Sequence, residues 1–250
     1  MTRFHVTLLL AGALALAALL AGQPWWLLSI AAALALVVGL GVTFPQLSLF
    51  GPFICRGSGV QKRAALTFDD GPDAESTPAL LDWLREEKIS AAFFAVGARV
   101  AAHPELAARI VREGHLLENH SYGHSYATNF FGVARLREEM RRTQMAVQEA
   151  TGRAPQLFRP PMGLSNPRTF RAAKLEGLRV IGWSARGLDT QCCDPEVVVG
   201  RILRRVRPGG IILLHDGNIP AARVLATVKL LLAGLRERGY EVVRVDELLK

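Results

Sequence analysis

Hydrophobic positions along the chain fall into two unlike regimes. Across residues 6–22 and 27–44 apolar residues run almost unbroken, separated only by Gln23, Pro24, Trp25 and Trp26. Beyond residue 60 they form short blocks divided by charged residues. Each long run is about 17–18 residues, which as a helix spans roughly 26 Å, close to the hydrocarbon thickness of a bilayer. Proline breaks the helix between the runs, and paired tryptophans suit the headgroup level. Residues 1–44 therefore read as a two-helix transmembrane hairpin. A cleavable signal peptide is the alternative for the first run, since small residues precede Gln23; the second run follows too closely to favour it.

Residues 45–60 contain Pro45, Gly51, Pro52, Gly57 and Gly59 and read as a linker, with residues 61–250 forming one domain. In that domain β-prone blocks predict strands at 64–68, 91–96, 115–118, 156–158, 179–183, 211–215 and 241–243. Amphipathic stretches predict helices at 77–87, 104–113, 133–150, 167–176, 196–206 and 222–238. Proline near the first turn opens the helix at 104, and Gly114 ends it. This alternation predicts an α/β architecture with parallel strands, as a layer or a barrel.

Charge refines the picture. Of 30 basic and 22 acidic residues only Arg3 lies in the first 50, leaving about +7 on the globular part. The cations are scattered along helices (Arg135, Arg137, Arg141 and Arg142; Arg201, Arg204 and Arg205) without interleaved aromatics. No nucleic-acid-reading module accompanies them, so acidic phospholipid is the better partner. Arg3 precedes the hairpin, its turn is uncharged, and Arg56, Lys62 and Arg63 follow it, which places both ends and the domain in the cytoplasm. Cys55, Cys192 and Cys193 make neither a disulfide framework nor a Cys-x-x-Cys zinc spacing.

Polar residues gather at the C-terminal ends of the predicted strands. Asp69 and Asp70 follow the first, His120 and His124 the third, Arg159 the fourth, and His215 with Asp216 the sixth. In a parallel barrel those ends meet on one face, where loops build active sites. On a helical turn the spacing of His120 and His124 would project both imidazoles from one side. Two histidines with Asp70 make a metal set with an open position; zinc is the default, though nickel, cobalt or iron would fit. Neighbours in extended chain point apart, so Asp69 is free to serve as a general base. His5, His103 and His115 have ordinary structural readings.

Thr-Phe-Asp-Asp-Gly-Pro at 67–72, His-Ser-Tyr-Gly-His at 120–124, Arg-Pro-Pro-Met-Gly at 159–163 and Leu-Leu-His at 213–215 resemble, in order and spacing, motifs of the polysaccharide deacetylase family. This is the family of the NodB homology domain, carbohydrate esterase family four, and the likeness runs from about residue 63 to 250. The resemblance implies a distorted (β/α) barrel and an amidase acting on N-acylated amino sugars. It further implies Asp69 as base, Asp70, His120 and His124 as metal ligands, Arg159 orienting the base and His215 as general acid. Leu213 would line the pocket for the acyl methyl, and the N–H near Met162 would meet the oxyanion. Pro160, Met162, Trp183, Arg186, Asp189 and Leu213 are the candidate substrate contacts.

Two departures stand out. Arg186 and Thr190 occupy positions where the family carries aspartate and tryptophan, and Met162 replaces a tyrosine; Asp189 matches. Arg186 suits a phosphate or carboxylate, or else pairs with Asp189. The substrate expected is an acetylated or formylated amino sugar, in a polymer or linked to lipid beside the membrane. A catalytically inactive carbohydrate-binding domain and a hydrolase of a non-sugar amide or ester are the competing readings.

Overall fold

The computed structural model describes residues 2–250. Two antiparallel helices come first, α1 (Arg3–Leu20) and α2 (Trp26–Thr43), with Trp25 and Trp26 stacked at their shared tip. Gly41 is the one buried residue in either helix, and Leu20 and Leu28 are 82% and 79% exposed. Apolar surface on this scale needs an apolar cover. Both helices are candidate membrane spans by length and composition.

The rest of the chain alternates strand and helix. In order come β1 (Arg63–Asp69), α3 (Ser76–Glu86), β2 (Ala92–Ala95), α4 (Gly97–Ala102), α5 (Pro104–Arg112) and β3 (Leu116–Asn119). Then follow α6 (Val133–Thr151), β4 (Leu157–Phe158), α7 (Pro167–Leu175), β5 (Arg179–Val180) and β6 (Ala185–Arg186). The last elements are α8 (Pro195–Arg205), β7 (Gly210–His215), α9 (Ala221–Glu237), β8 (Glu241–Val242) and α10 (Val245–Leu248). All strand pairings are parallel, in the order β5-β4-β3-β2-β1-β7-β6, with β8 beside the start of β1.

Chain length forces this sheet to curl. Its two edge strands are consecutive in sequence, yet six interstrand steps of about 4.8 Å would part them by roughly 29 Å if flat. The five-residue step from Val180 to Ala185 reaches at most about 18 Å. The sheet is accordingly a parallel half-barrel wrapped by helices. The strand expected over 179–183 is cut short at Val180 for the same reason: the chain there must cross the seam.

Residues 54–56 fill that seam. Ile54 pairs with Ile181, donating its N–H to Val180 and accepting from Gly182, and Arg56 pairs with Gly210. Leu49, Phe50, Phe53 and Cys55 are buried, and burial pushes the Cys55 thiol up to about 11. The segment read as linker is thus packed chain; its prolines and glycines shape turns while its hydrophobic residues enter the core.

Central β1 is buried on both faces from Ala64 to Phe68, so it shows no polar alternation. Leu66 and Phe68 pack with the helices, and Ala65 faces Phe94 and Ile211 inside the curl. The six-residue register between β1 and β7 sets Asp69 level with His215. Helices α4 and α10 were not anticipated, being too short to show a period. A break at His103 divides α4 from α5, as expected before proline.

Candidate active site

Four strand ends deliver the polar residues to one mouth. Asn119 on β3 is level with Phe158 on β4, which brings the next residues, His120 and Arg159, side by side. The Arg159 N–H donates to the Asn119 carbonyl at 2.9 Å. His120 in turn donates Nδ1–H to the Arg159 carbonyl at 2.8 Å, leaving its Nε2 lone pair aimed into the site.

His120 and His124 do not lie on a helical turn. Ser121 and His124 adopt left-handed φ values of 64° and 46°, folding the chain back on itself. Glu139 on α6 pins this loop by accepting the N–H groups of Tyr122 and Gly123 at 3.1 and 2.8 Å. The two imidazoles come together all the same, with ring centroids 5.0 Å apart. Asp70 Oδ1 lies 3.4 Å from His120 Nε2 and 3.1 Å from His124 Nε2.

Asp70 also has a left-handed backbone, φ 74°, which turns its carboxylate to the same side as that of Asp69. The separation of roles expected from strand alternation therefore has another origin. Arg159, fully buried, donates Nη1–H to Asp69 Oδ1 at 2.6 Å and to Thr67 Oγ1 at 2.9 Å, and Nη2–H to the Gly182 carbonyl at 2.9 Å. One Asp69 oxygen is thus held, while Oδ2 faces the site 3.8 Å from His120 Nε2.

Asp70, His120 and His124 fit a divalent metal. Their ligand atoms all lie within 4.8 Å of one another, and Asp70 Oδ1 is buried without a hydrogen-bond donor. Burial opposes charge on Asp70, but the imidazole of His120 beside it, with those of His124 and His215, favours the carboxylate and holds its carboxyl well below the usual range.

His215 sits across the site. Asp189 accepts the His215 backbone N–H at 2.8 Å and lies 3.0 Å from its Nδ1. Burial opposes the imidazolium, yet the hydrogen bond and charge of Asp189 prevail, with Asp69 and Asp70 adding, and raise its pKa to about 9. A raised pKa makes this contact stabilising below about pH 6.5 and lost as pH climbs through about 9. In Asp189→Asn we expect the alkaline limb of the kcat/KM profile to move down by more than one pH unit; an unmoved limb would assign it to another group.

A cleft of about 360 Å³ opens over these residues, and Met162, Trp183, Arg186, Asp189 and Leu213 line it. Pro160, expected among them, is buried and is not among the residues lining the cleft, its carbonyl accepting from Gly163. Asp189, also expected to meet substrate, has both oxygens engaged by His215. Arg186 forms no ion pair with Asp189, which His215 already occupies; its guanidinium lies 5.3 Å from the Trp183 ring. Burial and the charge of Arg205 lower the Arg186 pKa.

Two contributors, Thr67 and Tyr126, escaped sequence reasoning, and a third, Asp216, was placed at this face without a role. Thr67 shares Arg159 with Asp69, and exposed Tyr126 stands at the cleft. Asp216 is fully buried, takes a 2.5 Å hydrogen bond from Thr77, and donates its N–H to the Asp69 carbonyl at 3.2 Å. A Cβ at Gly71 would collide with its carboxylate, so Asp216 braces the Asp69–Asp70 turn from below. Burial, with Asp70 and Asp69 nearby, raises it to about 7. Its place beside His215 was the one available signal.

The polysaccharide deacetylase family model matches residues 56–181. The chain is 35% identical over 192 residues to a peptidoglycan-N-acetylglucosamine deacetylase of Bacillus cereus, covering 76% of this chain and 89% of that one. It is 31% identical over 195 residues to a chitooligosaccharide deacetylase of Bradyrhizobium sp., covering 73% and 89%. Among solved structures, a CE4 family pseudoenzyme from Bacillus anthracis superposes with a TM-score of 0.73 at 27% identity, over 80% of this chain and 69% of that one.

Proposed function

The chain belongs to the polysaccharide deacetylase family, and on that footing we propose that it is a membrane-held, metal-dependent hydrolase removing an N-acetyl or N-formyl group from an amino sugar. The observation that carries this is the meeting of a metal set, a held carboxylate and a histidine–aspartate pair in one cleft. One structural relative is a pseudoenzyme, so membership does not decide activity. Here ligands, base and acid converge, which favours an enzyme over an inactive binding domain.

A divalent metal held by Asp70, His120 and His124, zinc by the chemistry of the donor set, would supply Lewis-acid polarisation of the acyl carbonyl and a more acidic water. Asp69 Oδ2 takes the proton as water attacks the acyl carbon, while Arg159 holds Oδ1 so that the base presents a single oxygen. His215, charged through its contact with Asp189, gives a proton to the departing nitrogen, so amine and carboxylate leave with the protons balanced. Leu213 walls the acyl pocket, and the Met162 N–H, on a backbone bent to φ 59°, is the candidate oxyanion donor.

Two observations favour a substrate close to the bilayer. Gln46, three residues beyond α2, donates to the Trp183 carbonyl at 3.1 Å, which ties the foot of the hairpin to the cleft wall. Arg186 is a cleft cation without an acidic partner among the described residues, suited to a phosphate or carboxylate. We propose a lipid-linked amino sugar, with residues 1–44 as the anchor, 61–250 as the catalytic domain, and that domain on the cytoplasmic side. The test is deacylation by the full chain in nanodiscs, with and without chelator, of chitin oligomers and of a lipid-diphosphate amino sugar. Chelator-sensitive turnover favouring the lipid-linked form is expected. Equal turnover of free oligomers would overturn the lipid preference, and metal-independent turnover would overturn the mechanism. Reporter fusions at the C-terminus, one active inside and one outside, check the side.

A further inference from the structure

Where the hairpin joins the domain, a groove of about 810 Å³ opens between the start of α1 and helix α7. Phe50, Pro52, Phe170 and Leu178 give it an apolar lining. Gly51 is needed there, because a Cβ would strike the Phe170 ring. Arg171 and Lys174, one turn apart on α7, and Arg179 at the start of β5 also line the groove, and all three are exposed.

Among the described residues no carboxylate lines this groove. The nearest acid along α7 in sequence, Glu176, is already held by Arg137 at 2.6 Å. Among the described residues Arg171, Lys174 and Arg179 take part in none of the ion pairs, so their charge faces outward unneutralised. Cations over an apolar surface match a molecule with an anionic head and a hydrocarbon tail.

Position selects which such molecule. Thr2 and His5, at the very start of α1, help to line the groove, so it opens at the level where the hairpin would enter the bilayer. That junction is fastened. The Phe4 N–H donates to the Leu49 carbonyl at 2.9 Å, Arg3 to the Leu47 carbonyl at 2.8 Å, and the Phe4 and Phe50 rings meet edge-on at 5.2 Å.

We propose that this groove holds one anionic phospholipid, with its phosphate among Arg171, Lys174 and Arg179 and the first part of an acyl chain over Phe50 and Phe170. The inference rests on the membrane reading of the hairpin. The lipid would act as a strut between α7 and the bilayer, fixing how the catalytic mouth is presented to the surface.

The experiment uses the full chain in nanodiscs of phosphatidylglycerol and phosphatidylcholine, followed by mild extraction and native mass spectrometry of co-retained lipid. The wild-type chain should retain phosphatidylglycerol several-fold above its share of the bilayer. Arg171→Gln/Lys174→Gln should retain it at the bulk ratio while hydrolysing a soluble chitin oligomer at the wild-type rate, which also reports that the variant is folded. Arg179→Gln provides an independent second variant, with a partial loss expected. Retention at the bulk ratio by the wild-type chain, or undiminished enrichment in both variants, would overturn the proposal, as would a stable dimer covering the groove. Release of the chain from membranes by carbonate would overturn the membrane reading with it, whereas firm insertion without enrichment would overturn this inference alone.

Discussion

Asp69→Asn is expected to bind metal as the wild-type chain does and to lose about 10²–10⁴-fold in turnover, the usual worth of a positioned proton acceptor. Asparagine keeps an oxygen for Arg159 but cannot take the proton of the attacking water. The substitution also costs stability. Arg159 is fully buried, and its charge would lose its balancing carboxylate, destabilising the fold by on the order of 3 kcal/mol. Metal content by atomic absorption, turnover, and thermal unfolding in detergent separate the effects. Wild-type turnover would remove Asp69 as the base. Lost turnover with lost metal would make it a ligand instead.

His120→Ala should remove metal and activity together, with turnover expected to fall roughly a thousandfold or more as a Lewis-acid contribution of several kcal/mol disappears. His120 is the most constrained of the three ligands, 2% exposed and fixed through Nδ1 by the Arg159 carbonyl. His124 is partly exposed, on a loop held by Glu139, and its replacement should weaken metal binding less. Chelation of the wild-type chain should reproduce the His120→Ala loss reversibly on adding metal back. Full activity in metal-stripped wild-type protein would refute the assignment.

The alternation of β-prone and amphipathic blocks made the α/β class legible, because buried parallel strands and half-buried helices impose different periods. The grouping of Asp69, Asp70, His120, Arg159 and His215 at strand ends was legible too, since parallel strands deliver their ends to one face. What the sequence hid were features set by tertiary contact. The left-handed turns at Asp70, Ser121 and His124 sit on non-glycine residues, in loops contacted by Arg159, Glu139 and Asp216 from far along the chain. Nothing local to Asp189 reveals that His215, 26 residues on, takes both its oxygens. Residues 45–60 carry turn residues that mask the hydrophobic positions between Leu49 and Cys55, and the pairing partners of Ile54 and Arg56 lie far along the chain.

The seam closed by residues 54–56 bears on where the chain can be cut. Their pairing partners, Ile181 and Gly210, lie near the two edges of the curled sheet, so the peptide leaving the hairpin works as the stave that completes the barrel. A soluble fragment starting at residue 61 would discard that stave together with buried Phe50, Phe53 and Cys55, and would expose strand edges prone to pairing with other chains. One starting just before Leu49 keeps the stave and sheds only the apolar hairpin and the short turn after it. The first fragment should aggregate and the second remain monomeric, because hairpin and barrel share a boundary that lies a dozen residues earlier than the composition of the chain suggests.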